Sequence, residues 1–180
     1  MKTSIPDKNI ILEVVRGDIA DQPDIDIIVN AANAQLVTGG GVAGAIHSGA
    51  GPGLAEECQH LAPINTGDAV ITGAYSLPNK QIIHCLGPVY GIDRPEEKLL
   101  ASCYRSALNL AESSAASSIA FPAISTGIFG YPFIEALSIE LDIIIQFNGY
   151  KNLQIVRLVL WGQDEFDSAL NILNEKINQL

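Results

Sequence analysis

Short apolar runs alternate with longer amphipathic stretches along the whole chain, and this alternation constrains the fold more than any other feature. The apolar runs, rich in Ile, Val and Leu, predict six strands, of which the last, LQIVRLVL, has the nearly continuous apolar pattern of a strand covered on both faces. The stretches between them carry apolar residues at helical spacing and predict five helices. Strands that alternate with helices pack as a sheet with helices on both faces. The predicted fold class is therefore α/β: a three-layer α/β/α sandwich with a mixed, largely parallel central sheet. The strands are predicted over residues 10–15, 26–29, 69–74, 81–86, 119–121 and 153–160, and the helices over residues 42–48, 53–61, 96–113, 132–147 and 168–180, the last with an alternative start at Asp164.

Length and composition predict one globular domain over residues 1–180. The chain is 48% hydrophobic and 17% charged, which excludes a disordered chain. Its apolar runs are shorter than the roughly 18 to 20 residues of a membrane-spanning helix. The first ten residues, MKTSIPDKNI, lack the apolar segment of a signal peptide. We therefore expect no membrane association and a cytoplasmic location.

Charge and ligand spacing exclude two further classes. Twenty Asp and Glu against ten Lys and Arg leave a net charge of −10. Duplex nucleic acid is therefore not an expected partner, because neutralising phosphates requires clustered cations. The cysteines and histidines lack C-x-x-C or other ligand spacing, so we expect no metal, no disulfide framework and no cofactor. His84 and Cys85 lie within the apolar run QIIHCLGPV and are expected in the core. The residues concerned are Cys58, Cys85, Cys103, His47, His60 and His84.

The segment LVTGGGVAGAIHSGAGPG places Gly39, Gly40 and Gly41 directly before a predicted helix. Glycine is needed where the backbone has a positive φ or where a ligand approaches the main chain closely. A glycine loop at a helix N-terminus can hold an anion. Gly39, Gly41 and Gly44 also match G-x-G-x-x-G, but nine residues separate Val29 from Gly39, whereas the dinucleotide fingerprint follows its strand directly. The alternative is a glycine loop required only for tight packing.

The segment IVNAAN places two asparagines, Asn30 and Asn33, at the end of a buried strand. Open α/β sheets bind ligands at the carboxyl ends of their strands. A carboxamide both donates and accepts hydrogen bonds, which suits sugar hydroxyls. The alternative is an ordinary turn with asparagine in a favoured position.

The segment AFPAISTGIFGYP repeats the order strand, glycine loop, helix N-terminus. Ser125, Thr126, Gly127 and Gly130 form this second polar loop. Two such loops that face one crevice would surround a diphosphate from both sides. Phe129 is large and apolar for a loop residue, and either packs on a sugar or holds the loop against the core.

The segments VVRGDIAD and VLWGQDEFD follow the first and last predicted strands. Asp18, Ile19 and Trp161 are the residue types of a base pocket, which combines an apolar side chain, an aromatic ring and a carboxylate. Asp18, as an acceptor for an exocyclic amine, would favour adenine over a keto base.

Taken together, these segments resemble the macrodomain family from about Val14 to the end of the chain. The motifs RGDI, IVNAAN, GGGVAGAIH, TGDAVITGAY, IIHCLGPVY and FPAISTGIFGYP occur in the order and spacing of that family. Macrodomains bind ADP-ribose, and many hydrolyse it from modified proteins or deacetylate O-acetyl-ADP-ribose. The resemblance therefore implies ADP-ribose or an ADP-ribosylated protein as partner.

The resemblance also implies roles for individual residues. Asp18 and Ile19 would bind the adenine, with Trp161 beside it. Asn33 and Phe129 would contact the distal ribose, and the two glycine loops would offer main-chain N–H groups to the diphosphate. The implied ligand-binding residues are Asp18, Ile19, Asn33, Gly39, Gly40, Gly41, Val42, Ser125, Thr126, Gly127, Ile128, Phe129 and Trp161, of which Asn33, Gly41 and Phe129 are the expected catalytic residues.

One position departs from part of the family. The residue after GGGV is aspartate in MacroD-like and bacterial deacetylase members, where it is implicated in positioning the hydrolytic water, but here it is Ala43. Some viral macrodomains with GGGVAGA are nonetheless hydrolases. The expected function is therefore hydrolysis of the ester between the distal ribose and a protein carboxylate or an acetyl group. The alternatives are a non-catalytic ADP-ribose reader and, from the Gly39 motif, a nicotinamide-dependent oxidoreductase.

Overall fold

The computed structural model describes residues 1–179, which form seven strands and five helices. The strands are β1 (Lys2–Ser4), β2 (Ile11–Arg16), β3 (Ile27–Ala31), β4 (Ala69–Gly73), β5 (Gln81–Cys85), β6 (Ser118–Phe121) and β7 (Ile155–Leu160). The helices are α1 (Gly41–Ala50), α2 (Pro52–Leu61), α3 (Glu96–Ser113), α4 (Phe133–Gln146) and α5 (Gln163–Ile177). Within residues 1–179, none of these helices is long and apolar enough to cross a membrane.

The strands form one sheet in the order β1-β2-β7-β6-β3-β5-β4. The five inner strands are parallel, and the two edge strands β1 and β4 pair antiparallel with their neighbours. Alternate residues of each inner strand enter different cores: Ile27 and Val29 pack on the side of α3, α4 and α5, whereas Ile28 packs on the side of α1 and α2. The predicted three-layer sandwich with a mixed, largely parallel sheet is confirmed.

Two elements differ from the sequence prediction. β1 was not predicted, because Lys2, Thr3 and Ser4 carry no apolar signal, and their strand depends on main-chain pairing with β2. The last helix begins at Gln163, one residue before the alternative start predicted at Asp164 and five before residue 168. Glu165 accepts a hydrogen bond from the N–H of Gly162 and caps the first turn. It ends at Ile177, and the predicted end at residue 180 lies outside the described residues.

The connections create a crevice between β3 and β6. After β3 the chain passes to α1 and α2 on one face of the sheet, and after β6 it passes to α4 on the other face. Neighbouring strands whose connections leave in opposite directions leave an opening at their carboxyl ends, where open α/β sheets bind ligands. The fold therefore brings the polar loops after β2, β3, β6 and β7 to one edge of the sheet.

Candidate functional site

A cavity of about 960 Å³ opens at the carboxyl ends of β2, β7, β6 and β3. The first and last of these strands are three strand spacings apart, about 14 Å. The structure brings every predicted site residue to this one cavity, although they come from four separate segments. The lining includes Asp18, Ile19, Asn33, Gly39, Gly40, Gly41, Val42, Ser125, Thr126, Gly127, Ile128, Phe129 and Trp161.

The first glycine loop leads directly into α1. Gly40 has an extended backbone (φ −84°, ψ 177°), whereas Gly41, the first residue of the helix, has φ +56°. A side chain on Gly44 would place its Cβ 2.6 Å from the carbonyl oxygen of Gly39, so the loop also requires glycine one turn into the helix. The first N–H groups of a helix lack intrahelical acceptors and lie at the positive end of its dipole. This loop therefore presents hydrogen-bond donors to the cavity without a charged side chain.

The second loop precedes α4 and offers donors in the same way. Its turn is closed by hydrogen bonds from Gly130 N to Gly127 O and from Tyr131 N to Ser125 O. Across residues 1–179, the N–H groups of Gly127, Ile128 and Phe129 donate no hydrogen bond to another main-chain group. Three neighbouring donors without partners form a site for a strong acceptor.

Ser125 anchors this second loop to the sheet. It is 6% exposed and has φ +68°, which is rare for a residue with a side chain. Its hydroxyl lies where a Cβ on Gly87 would be, so the close approach of the two segments requires glycine after β5. This contact holds the loop over the crevice.

We call the part of the cavity formed by Asn33 and residues 39–42 the Asn33 end. The Asn33 carboxamide oxygen accepts from Val37 N at 3.1 Å, and its nitrogen donates to Val37 O at 2.8 Å. These bonds close the turn after β3, yet the carboxamide keeps one N–H and one lone pair for a ligand. The turn role and the ligand role proposed from the sequence are therefore compatible.

We call the opposite part, formed by Asp18, Ile19, Trp161 and Glu165, the Trp161 end. Asp18 accepts from Ala20 N at 2.9 Å through one carboxylate oxygen. Ile19 is buried in the second core, and Trp161 directly follows β7 with 77% of its surface exposed. An apolar side chain, a free aromatic ring and a carboxylate thus lie together, as a base pocket requires.

The lining contains no Lys or Arg among the described residues, and its only charged groups are the carboxylates of Asp18 and Glu165. Both carboxylates lie at the Trp161 end. An anion at the centre of the cavity would therefore be held by main-chain N–H groups and helix dipoles. The Asn33 end of the described cavity has no titratable side chain, and Ala43 there is 5% exposed.

The buried histidines lie behind the cavity. His84 is fully buried and hydrogen bonded to Asn30 at 3.0 Å and to Thr72 at 2.9 Å; burial, and secondarily the neighbouring His47, lowers its pKa to about 3. Burial also lowers the pKa of His47, which does not line the cavity. The core positions predicted for His84 and Cys85 are confirmed. Within residues 1–179, no three side chains of His, Cys, Asp or Glu are arranged to hold a metal.

Sequence reasoning missed Glu165 and Gly87, which also line the cavity. Glu165 lies in the first turn of α5, and its place beside the cavity follows only from the tertiary structure. Gly87 follows β5, and the reason for glycine there is visible only in its contact with Ser125.

The chain is similar to macrodomains in both sequence and structure. A family model described as Macro domain matches residues 29–139. An O-acetyl-ADP-ribose deacetylase of Salmonella gallinarum is 49% identical over 141 residues, which cover 76% of this chain and 78% of that protein. A structure of the Oceanobacillus iheyensis macrodomain with ADP matches at a TM-score of 0.94 and 40% identity, covering 100% of this chain and 97% of that one. A Trypanosoma brucei macrodomain in complex with ADP-ribose matches at a TM-score of 0.84 and 36% identity, covering 92% and 71%.

Proposed function

Because the chain belongs to the macrodomain family, we propose that its cavity binds ADP-ribose and that the protein hydrolyses an ester of the distal ribose. The acyl part of this ester comes from a protein carboxyl group, as in a mono-ADP-ribosylated protein, or is an acetyl group, as in O-acetyl-ADP-ribose. The relatives named above support the ligand class, since one is named as the deacetylase and two contain ADP or ADP-ribose.

The observation that carries this proposal is the pair of donor-rich loops between two different cavity ends. The unpartnered N–H groups of Gly127, Ile128 and Phe129 lie in the second loop, and the N-terminus of α1 lies in the first. A diphosphate between these loops places the adenosine toward the Trp161 end and the distal ribose toward Asn33. This orientation assigns the carboxylate of Asp18 to the adenine amine.

Hydrolysis in this site proceeds through direct attack by water. Ser125 is the buried hydroxyl of the lining, but its oxygen has no hydrogen-bond partner in the described residues, so nothing activates it as a nucleophile. Water adds to the ester, the ribose oxygen leaves with a proton, and the products are ADP-ribose and a carboxylic acid. Asn33, Gly41 and Phe129 contribute by orienting the ribose and stabilising developing charge.

A time course of ADP-ribose release from a protein mono-ADP-ribosylated on glutamate tests the proposal. We expect release by the wild type and a rate at least about 100-fold lower in Asn33→Ala, since lost orientation and charge stabilisation affect the transition state most. The affinity for ADP-ribose, measured by calorimetry, should change only a few fold. A proportionate loss of rate and affinity would contradict the catalytic role of Asn33.

Asn33→Asp tests whether the carboxamide donor is needed. Aspartate retains the oxygen that accepts from Val37 N and loses the donor to Val37 O. We expect its rate to fall as in Asn33→Ala if the carboxamide donor serves the ribose. Normal activity in Asn33→Asp would show that the carboxamide donor is not required, and the role of Asn33 as a donor to the ribose would fail.

The second candidate is a reader that binds ADP-ribosylated proteins without hydrolysis. Ala43 favours it, because this position lacks the carboxylate that part of the family uses to position water. Binding of ADP-ribose without release from either ester substrate would establish the reader. Failure to bind ADP-ribose would overturn both candidates.

A further inference from the structure

A network of buried charges lies beneath the loop that carries Asp18. The Arg157 guanidinium donates to Glu13 through Nε at 2.7 Å and to both oxygens of Asp24 at 2.8 and 2.7 Å. Arg157 and Glu13 are 7% and 1% exposed. Such buried charges persist only when they are paired and hydrogen bonded. The Arg157–Glu13 pair is therefore held inside the protein, whereas Asp24, whose side chain is 63% exposed, joins Arg157 from the surface.

The network lies where the sheet has no helix over it. Glu13 on β2 and Arg157 on β7 are register partners and lie on the face of the sheet that α1 and α2 cover elsewhere. Over these two strands that face is covered instead by the loop of residues 17–25, whose Ile19 and Ile25 enter the second core. Arg157 and Glu13 thus lie between the sheet and the Asp18 loop, and Asp24 of that loop reaches Arg157 from the solvent side.

Gln22 joins the network to Asp18. Its side-chain oxygen accepts from Arg157 at 2.9 Å, and its side-chain nitrogen donates to the main-chain oxygen of Asp18 at 2.7 Å. The main-chain oxygen of Gln22 accepts from the buried side chain of Asn79 at 2.9 Å. Gln22 is 7% exposed, so both of its side-chain bonds are shielded from water.

We propose that Gln22, held by Arg157, is a positioning residue that sets Asp18 for recognition of the adenine amine. This inference rests on the proposed function, because it assigns a role to Asp18 as the acceptor for that amine. Neither Gln22 nor Arg157 lines the cavity. They act through the main chain of Asp18, whose carboxylate is further held by Ala20 N.

The selective measurement is the ratio of affinities for ADP-ribose and inosine diphosphate ribose. Hypoxanthine carries a carbonyl where adenine carries the amine, so it presents an acceptor instead of a donor at that position and loses the hydrogen bond assigned to Asp18. We expect the wild type to bind ADP-ribose about tenfold more tightly, because the inosine ligand loses one hydrogen bond to a charged group. Asp18→Ala should reduce this ratio to near one while both ligands still bind.

Two substitutions at Gln22 test the positioning. Gln22→Leu removes both side-chain bonds, and Gln22→Glu keeps an acceptor for Arg157 but replaces the donor to the Asp18 oxygen. We expect both variants to lower the preference for ADP-ribose to about twofold or less. Arg157→Lys, which cannot bond all three partners at once, should lower it less strongly.

Glu112→Gln provides the matched control. Glu112 accepts from the N–H groups of Lys151, Asn152 and Leu153 before β7, far from the cavity. Glu112→Gln should lower the melting temperature and leave the ratio of the affinities for ADP-ribose and inosine diphosphate ribose unchanged. This control shows whether a general loss of stability is enough to reduce the preference for ADP-ribose.

The outcomes separate this inference from the proposed function. If the wild type does not bind ADP-ribose, the proposed function and the inference both fail. If the wild type shows no preference, or Asp18→Ala retains it, Asp18 does not read the amine and the positioning role fails alone. If Asp18→Ala abolishes the preference but folded Gln22→Leu and Gln22→Glu keep it, the inference is overturned and the proposed function stands.

Discussion

The two ends of the cavity present different chemical groups to a ligand: mainly main-chain groups at the Asn33 end and side chains at the Trp161 end. The Asn33 end consists mainly of glycine, alanine and main-chain groups, with the asparagine carboxamide as its polar side chain. The Trp161 end presents an aromatic ring and two carboxylates, and a buried ionic network supports its Asp18 loop. Recognition by the main chain depends on backbone conformation, whereas recognition by side chains depends on what packs behind them. The same ligand would therefore be sensitive to different kinds of substitution at its two ends.

The largest difference is expected from two neighbouring glycines at the Asn33 end. A Cβ on Gly40 or on Gly41 meets no atom within 4 Å, but only Gly41 has a positive φ, of +56°. Gly41→Ala should cost about 1–2 kcal/mol of backbone strain. If the loop relaxes out of its binding conformation, the affinity for ADP-ribose falls about tenfold.

Gly40→Ala is the matched control, since its backbone suits any residue. Calorimetry should give an affinity within about twofold of the wild type. Equal losses in the two variants would show that space in the cavity, rather than main-chain geometry, matters at this end.

A smaller effect is expected from Trp161 at the opposite end. The ring is 77% exposed, so its removal leaves no cavity in the core. Trp161→Ala should weaken ADP-ribose binding about fivefold, because the adenine loses one aromatic contact. Trp161→Phe should retain most of the affinity, and unchanged binding in Trp161→Ala would exclude the ring from the base pocket.

A still smaller effect is expected from pH, because no titratable side chain of the described residues lines the Asn33 end. Burial lowers the pKa of His47 and of His84 below the ordinary value of histidine, so both are neutral over the upper part of the neutral range. The rate constant at saturating substrate should therefore vary less than about twofold between about pH 6.5 and 8. A rate that rises through a single midpoint near pH 7 would reveal a side-chain base.

Salt should have the smallest effect. The described lining offers no cationic side chain, and the protein carries a net charge of −10. Binding of a diphosphate by N–H groups should therefore change less than about twofold between about 50 and 500 mM salt, with any change toward tighter binding as repulsion is screened. A tenfold loss at high salt would instead indicate that lysine or arginine side chains reach the ligand.

Local patterns were sufficient to predict most elements and the cavity lining. Glycine before a helix and asparagine after a strand are local signals with direct physical causes, and Gly39, Gly41 and Asn33 line the cavity as predicted. β1 escaped prediction because an edge strand can form from polar residues that pair through the main chain. The start of α5 stayed open between residue 168 and Asp164 in the sequence prediction, because its first turn is polar, apart from Phe166, and is stabilised by the Glu165 cap.

The sequence by itself determined the α/β class, the family and the segments that form the cavity, because each depends on short-range periodicity and on ordered motifs. Tertiary structure alone decided how the Asp18 loop is supported. Arg157 and Gln22 are 135 positions apart, and no local pattern indicates that a strand residue near the end of the chain would hold a loop near its beginning. The same holds for Gly87 and Ser125, whose contact depends on how closely two segments pack. Long-range contacts of this kind arise only when the sheet brings distant segments together.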